Sequence, residues 1–297
     1  MGRRIDWADE TVWILGASSG IGRALAEELA RRGATLILSA RKSERFRAVV
    51  DACAEPAGPG AGPAAGAVTA EPIDLTDPAE TRRAAERVAP RAAQPEAPQE
   101  GAPPGRLPVT TVIYAAGVSQ RAFLLDMSDE VVDRVLNVNF RSAVAVARAV
   151  APTMQEAGTG RLVFLSSLAA YAPTPLRSMY SASKSALGVA AATLRAELAA
   201  AGVEVTLVIP GFVRTAISES ALRADGAVHG IIDPNQTSGM DPVECARRIL
   251  RGLERGRGEF TVAMGFKGRL ALLMGRVAPG LQRRLLARIP TSAEHRS

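Results

Sequence analysis

Cysteine is nearly missing from this sequence of 297 residues. There are two, Cys53 and Cys245, far apart and with no further cysteine or histidine at metal-ligand spacing. That excludes a disulfide framework and a zinc site, and it suits a reducing compartment and metal-free chemistry. Aromatic residues are also scarce, at 4%. A nucleic-acid surface needs stacking aromatics and a basic face spread over a folded domain, so nucleic acid is not an expected partner. No apolar run reaches the length that spans a bilayer. The segment from Met1 to Glu10 is charged, lacks an apolar stretch, and has Asp6 where a myristoylation signal needs Ser or Thr. Neither secretion nor N-terminal lipidation is expected, and a cytoplasmic location follows.

What is present is apolar bulk, 47% of residues, with no turn-punctuated boundary between two comparable halves. The expectation is one domain over 1–264 and an extension over 265–297. The formal charge of +6 belongs to that extension, where Lys267, Arg269, Arg276, Arg283, Arg284, Arg288 and Arg296 face only Glu294.

Short β-branched runs alternate with helical patterns, the signature of β-α-β units and a parallel sheet covered on both faces. Strands are predicted at 11–15, 35–39, 68–73, 109–114, 161–165, 203–209 and 259–262. Helices are predicted at 21–32, 44–53, 78–89, 130–156, 180–200 and 242–254. The fold class is therefore a Rossmann-type doubly wound sheet of about seven parallel strands, with a C-terminal helical tail. Two stretches, 54–66 and 90–108, are rich in Ala, Pro and Gly and read as surface loops.

The first strand runs into Gly16-Ala17-Ser18-Ser19-Gly20-Ile21-Gly22, and a helix follows. That is the order a dinucleotide site requires: glycine for the tight turn, for close backbone approach to the pyrophosphate, and for helix–strand packing. The second strand ends at Ser39-Ala40-Arg41. A NAD site usually has an acid there for the ribose 2′-hydroxyl, whereas an arginine suits a 2′-phosphate, so NADP (NADPH) is expected over NAD. Lys42 and Arg45 are the neighbours able to substitute for Arg41. Further along, Tyr180 and Lys184 stand four residues apart, which puts a phenol and an ammonium on one helical face. A phenol beside a fixed cation can exchange a proton near neutral pH.

With these motifs in this order, the chain resembles the short-chain dehydrogenase/reductase family from Thr11 to about Val262. The glycine turn is similar to the family's nucleotide motif, and Asp74-Leu75 to its adenine contact. Asn139, Ser167, Tyr180 and Lys184 match its catalytic Asn, Ser, Tyr and Lys, with Ser166 as a structural neighbour. Pro210-Gly211-Phe212-Val213-Arg214-Thr215 resembles its motif after the sixth strand, which implies that Val213 and Thr215 meet the nicotinamide carboxamide. Leu15 replaces a common Thr, and Ala115-Ala116-Gly117 replaces Asn-Ala-Gly; both lost polar groups normally tie two loops together, which bears on cofactor affinity.

The resemblance implies reduction of a ketone, with Tyr180 as acid and Ser167 as second donor. It also implies that Lys184 favours phenolate and holds the ribose, and that Asn139 anchors a water feeding protons through Lys184. The long connection from Ala216 to Met240 stands where the family builds its substrate lid. Its sequence, with Pro175-Leu176-Arg177-Ser178 and Ala278-Pro279-Gly280-Leu281, is similar to a lipid-handling subgroup of acyl- and alkyl-dihydroxyacetone-phosphate reductases near the 11β-hydroxysteroid dehydrogenases. A largely apolar ketone is the expected substrate, with a 3-oxoacyl or other small ketone as the alternative. A non-catalytic NADP-binding regulator is the alternative of another class. A homodimer or homotetramer through the helices at 131–156 and 180–200 is implied.

In the tail, Leu270, Leu273, Met274 and Val277, then Leu281, Leu285 and Ile289, recur at helical spacing among arginines. Such a segment suits peripheral contact with an anionic membrane, or packing on the core or on a second subunit.

Overall fold

The computed structural model describes residues 5–55, 66–90 and 108–288. The two Ala/Pro/Gly-rich stretches, apart from their flanks, lie outside the described residues, as do Ile289, Glu294 and Arg296.

Seven parallel strands form one sheet: β1 (Thr11–Leu15), β2 (Thr35–Ser39), β3 (Val68–Ala70), β4 (Thr111–Tyr114), β5 (Gly160–Leu165), β6 (Val203–Pro210) and β7 (Glu259–Val262). They lie in the order β3-β2-β1-β4-β5-β6-β7. The chain winds outward from β1 in one direction and then from β4 in the other, so the crevice of a doubly wound sheet falls between the ends of β1 and β4.

Alternation along each strand sets the two layers. Trp13, Leu15, Ile37, Val112, Tyr114 and Leu162 point to the side covered by α3 (Pro78–Val88), α5 (Ser142–Ala157) and α6 (Ser178–Leu198). Val12, Ile14, Leu36, Leu38, Ile113 and Val163 point to the side covered by α1 (Gly20–Ala30), α2 (Glu44–Ala54) and α8 (Pro242–Glu254). Both faces of every central strand are buried, which is why these strands read as continuous apolar runs.

Two sequence expectations change. The strand expected over 68–73 is regular only at Val68–Ala70, although the Glu71 and Ile73 N–H groups still donate to the Leu38 and Ala40 carbonyls at 2.9 and 3.0 Å. The helix expected over 130–156 is α4 (Asp129–Leu136) and α5, separated by a π-helical turn at Asn137–Arg141. A further short helix, α7 (Pro234–Thr237), lies in the lid. The tail forms α9 (Phe266–Val277) and α10 (Pro279–Leu286), divided at Pro279, whose ring cannot continue a helix begun before it.

Candidate active site

At the end of β1 the chain enters a turn in which Gly16 has φ +89° and Gly20 φ +56°, a region that residues with a Cβ seldom enter. A Cβ on Gly16 would lie 2.6 Å from the Ala116 backbone, and one on Gly22 would strike the Gly16 carbonyl. Gly20 faces a different neighbour, since its Cβ position lies 3.1 Å from Thr215 Cγ2; the loop after β6 returns over the turn. Ser19 caps α1 without a side-chain hydrogen bond, and the first turn of α1 has no acid. The free N–H groups and positive dipole end there are left for an anion.

The two loops that lack the family's polar tie are joined through backbone instead. The Ala115 N–H donates to the Leu15 carbonyl at 2.9 Å, while the N–H groups of Gly16 and Ala17 fix the turn to the end of β2 by donating to the Ser39 carbonyl at 2.8 and 3.1 Å. Leu15 is fully buried and fills the space by packing.

A cleft of about 370 Å³ runs over this turn, lined by Gly16, Ser18, Ser19, Gly20, Ile21 and Gly22, by Asp74 and Leu75 beyond β3, and by Ala115, Ala116 and Gly117 beyond β4. Arg41 and Arg45 line it, both exposed; Lys42 does not. The Nε of Arg134, a buried donor with no partner, belongs to another of its lining residues. A glycine cradle that a Cβ would fill, an uncompensated helix terminus, two arginines and an orphaned donor fit an anionic dinucleotide.

A second cavity of about 600 Å³ shares Ile21, Ala115, Gly117 and Thr215 with the cleft. Ser167, Tyr180, Lys184, Pro210, Gly211 and Val213 line it. Tyr180 and Lys184 lie on the first turns of α6 and are both buried. Ser167 follows β5; its Oγ accepts from Ala169 N at 3.2 Å, and its hydroxyl is near enough to the Tyr180 phenol to favour the phenolate. Ser166 is structural, its Oγ donating to the Lys184 carbonyl at 3.0 Å. The Lys184 ammonium donates to the Leu165 carbonyl at 2.8 Å.

The π-helical turn ties these parts together. Asn139 Nδ2 donates to Val118 O and Ser183 Oγ, each at 2.9 Å, and Asn139 Oδ1 accepts from Val118 N at 2.8 Å. Ser183 Oγ donates in turn to the Tyr180 carbonyl at 2.9 Å. The buried Tyr114 hydroxyl donates to Val138 O at 2.6 Å. Asn139 therefore fixes the loop after β4 to the helix bearing Tyr180, and both its amide hydrogens are taken.

The electrostatics of the pair differ from the sequence argument. Burial raises the Tyr180 phenol above its ordinary range, opposed by the Ser167 hydroxyl. The charge of Arg177 also bears on the phenol, and burial lowers Lys184 itself to about 8. Arg177, Arg121 and Asp233 line the same cavity, with Asp233 in the lid ion-paired to both arginines. Gln120 Oε1 accepts from Tyr180 N at 2.9 Å at the start of α6. Sequence reasoning missed Gln120, Arg121, Arg134, Arg177 and Asp233 as site residues, since no spacing links positions that only the fold brings together.

The tail closes one side. Ala271 and Leu286 line the cavity, and the buried Gln282 donates to the Tyr171 carbonyl at 2.9 Å and to Ala271 O at 3.0 Å. Arg276 lies 5.0 Å over the Tyr171 ring and pairs with Glu259. On the outer face, Leu270, Leu273, Val277, Leu281 and Leu285 are exposed. No helix among the described residues is long and apolar enough to cross a membrane, and no group of His, Cys, Asp or Glu among them is arranged to hold a metal.

Fold and site together define a nucleotide-dependent oxidoreductase class. The profile of the short chain dehydrogenase family matches residues 10–226. Dehydrogenase/reductase SDR family member 7B of Bos taurus is 32% identical over 280 residues, covering 93% of this chain and 80% of the bovine one. Its namesake in Danio rerio is 32% identical over 286 residues, covering 96% and 87%. Among solved structures, a short-chain dehydrogenase from Sphingobium yanoikuyae in complex with NADPH superposes with a TM-score of 0.71 at 26% identity, over 96% of this chain and 99% of that one. The chain belongs to the short-chain dehydrogenase family and is an oxidoreductase.

Proposed function

We propose that this chain is an NADPH-dependent reductase of a ketone on a largely apolar, lipid-like or steroid-like molecule, with Tyr180 as its proton donor. The observation that carries the reading is the position of Tyr180: a buried phenol lining, with Ser167, a cavity that opens into the glycine-turn cleft. The NADPH complex of the Sphingobium relative and the arginines after β2 support the coenzyme.

Bound NADPH supplies a hydride with its electron pair. As negative charge grows on the carbonyl oxygen, the Tyr180 O–H gives up its proton to that oxygen, and the Ser167 hydroxyl donates a second hydrogen bond. Burial keeps the phenol protonated through the neutral range, which suits reduction; alcohol oxidation needs it deprotonated and is favoured in alkali. Lys184, tethered to Leu165, would hold ribose hydroxyls with its remaining donors, and Val213 and Thr215 would meet the carboxamide. Asn139 holds the frame in which these groups keep their spacing.

The groove between α5 and α6, lined by Ala143, Ala147, Ala151, Leu187 and Ala191, suits pairing of two copies into a homodimer or homotetramer. The exposed tail face with Arg269, Arg283, Arg284 and Arg288 suits peripheral contact of a cytoplasmic protein with an anionic membrane.

The test is NADPH consumption against steroid, acyl-chain and phosphorylated ketones, with NADH in parallel. At least one apolar ketone should be reduced, with NADPH preferred and Arg41→Ala narrowing the preference. Consumption with none of them would instead point to a nucleotide-binding regulator.

A further inference from the structure

The cavity beside Tyr180 is charged in an unbalanced way. Its lining contains three cationic side chains, Arg121, Arg177 and Lys184, and one carboxylate, Asp233. Both guanidiniums reach the same carboxylate oxygen: Arg121 Nη2 and Arg177 Nη2 each bond Asp233 Oδ2, the latter at 2.9 Å. One negative charge thus serves two arginines that are only 19% and 14% exposed. The Arg121 Nε is buried and has no partner. Burial followed by repulsion from Arg121 lowers the Arg177 guanidinium, as expected where cations outnumber their counter-charge.

The backbone is arranged to hold this fork. Leu176, immediately before Arg177, has φ +65°, a conformation that leucine adopts only at a cost and that tends to persist where a site needs it. The Ala122 N–H, immediately after Arg121, donates to the Leu176 carbonyl at 3.3 Å, and the Arg121 N–H donates to Leu222 O of the lid at 2.8 Å. Three separate segments are stitched together at the point where the two guanidiniums emerge. The same cavity also has an apolar lining, with Phe212, Ile217, Ala271 and Leu286.

We propose that Arg121 and Arg177 form the recognition site for an anionic group, a carboxylate or phosphate, carried by an otherwise apolar substrate, with Asp233 holding the fork in place. The substrate is then an anionic amphiphile: its charged end meets the arginines, its chain lies against the tail wall, and its ketone stands at Tyr180. This rests on the reductase reading for the position of the ketone, while the anion site stands apart from turnover.

Two measurements on the full chain separate the two claims. In thermal melting, laurate or dodecyl phosphate should raise the midpoint of the wild type, dodecanol should not, and Arg121→Gln should lose the shift while Arg121→Lys keeps part of it. Comparing laurate with dodecyl phosphate distinguishes carboxylate from phosphate. In turnover, a long-chain keto acid should exceed its methyl ester in kcat/KM by roughly ten- to hundredfold, the range of a charge-assisted hydrogen bond, mainly through KM. Arg121→Gln should bring the ratio near unity. No shift with either anion, or a shift and preference that survive Arg121→Gln in a folded protein, overturns the proposal and leaves the pair as a latch for the lid. Anion binding without reduction of any ketone would sink the reductase reading alone.

Discussion

At the residue scale, Tyr180 and Lys184 share one face of α6 and are both buried, which opposes the charged form of each. Four-residue spacing shows that two groups share a helical face; it does not show their burial, nor the added charge of Arg177 near the phenol. Lys184 illustrates the cost. An unfolded lysine titrates near 10.5 and this one near 8, so below about pH 8 a protonated ammonium is held where burial opposes it. Between the two values the unfolded chain binds more protons than the folded one, so this residue's unfavourable contribution is relieved as pH rises through that window. Lys184→Met should therefore stabilise the protein at pH 7 by roughly 1–3 kcal/mol while destroying activity, an example of the tension between stability and function. Denaturant unfolding at pH 7 and pH 10 checks it: the variant's advantage should shrink at the higher pH.

At the element scale, the glycine turn was legible because each glycine answers a geometric demand that sequence order already implied. Gly22 gives the sharpest test, since a Cβ there would strike the Gly16 carbonyl, which is backbone and cannot swing away. Gly22→Ala should cost roughly 1–3 kcal/mol by overpacking and should weaken NADPH binding as α1 moves off β1. Melting with and without NADPH would read both effects; an unchanged midpoint and ligand shift would contradict the geometry. The break between α4 and α5 was not legible. The apolar period runs through 130–156 unbroken, and the reason for the π-helical turn lies in tertiary partners: Val118 and Ser183 for Asn139, Thr76 O for the Asn137 amide at 2.9 Å, and Leu75 O for the Ser142 hydroxyl at 2.9 Å. Such single π turns commonly mark functional sites.

At the scale of the whole molecule, alternation of strand and helix was enough to give the parallel sheet, and the switch point between β1 and β4 then fixes where cofactor and substrate meet. What lies over that point is set by long-range packing that no local pattern encodes. The lid closes on Arg121 and Arg177 through Asp233, and the tail, whose inner side forms cavity wall, turns an apolar stripe outward. If that stripe lies on a bilayer, the full chain should float with anionic vesicles and not with zwitterionic ones, and Leu273→Glu with Leu281→Glu should abolish flotation without changing the oligomeric state. Loss of an oligomer in the double variant would mean that a second copy covers the face.

In the proposed reaction Tyr180 gives the proton in NADPH-dependent ketone reduction. The most direct measurement is Tyr180→Phe, with NADPH affinity read by fluorescence titration and turnover read on the best ketone of the panel. The expected result is affinity within a few-fold of wild type and a loss of kcat of roughly 10²–10⁴-fold, the range for a missing general acid. Turnover near the wild-type rate in a folded, NADPH-binding variant would contradict it.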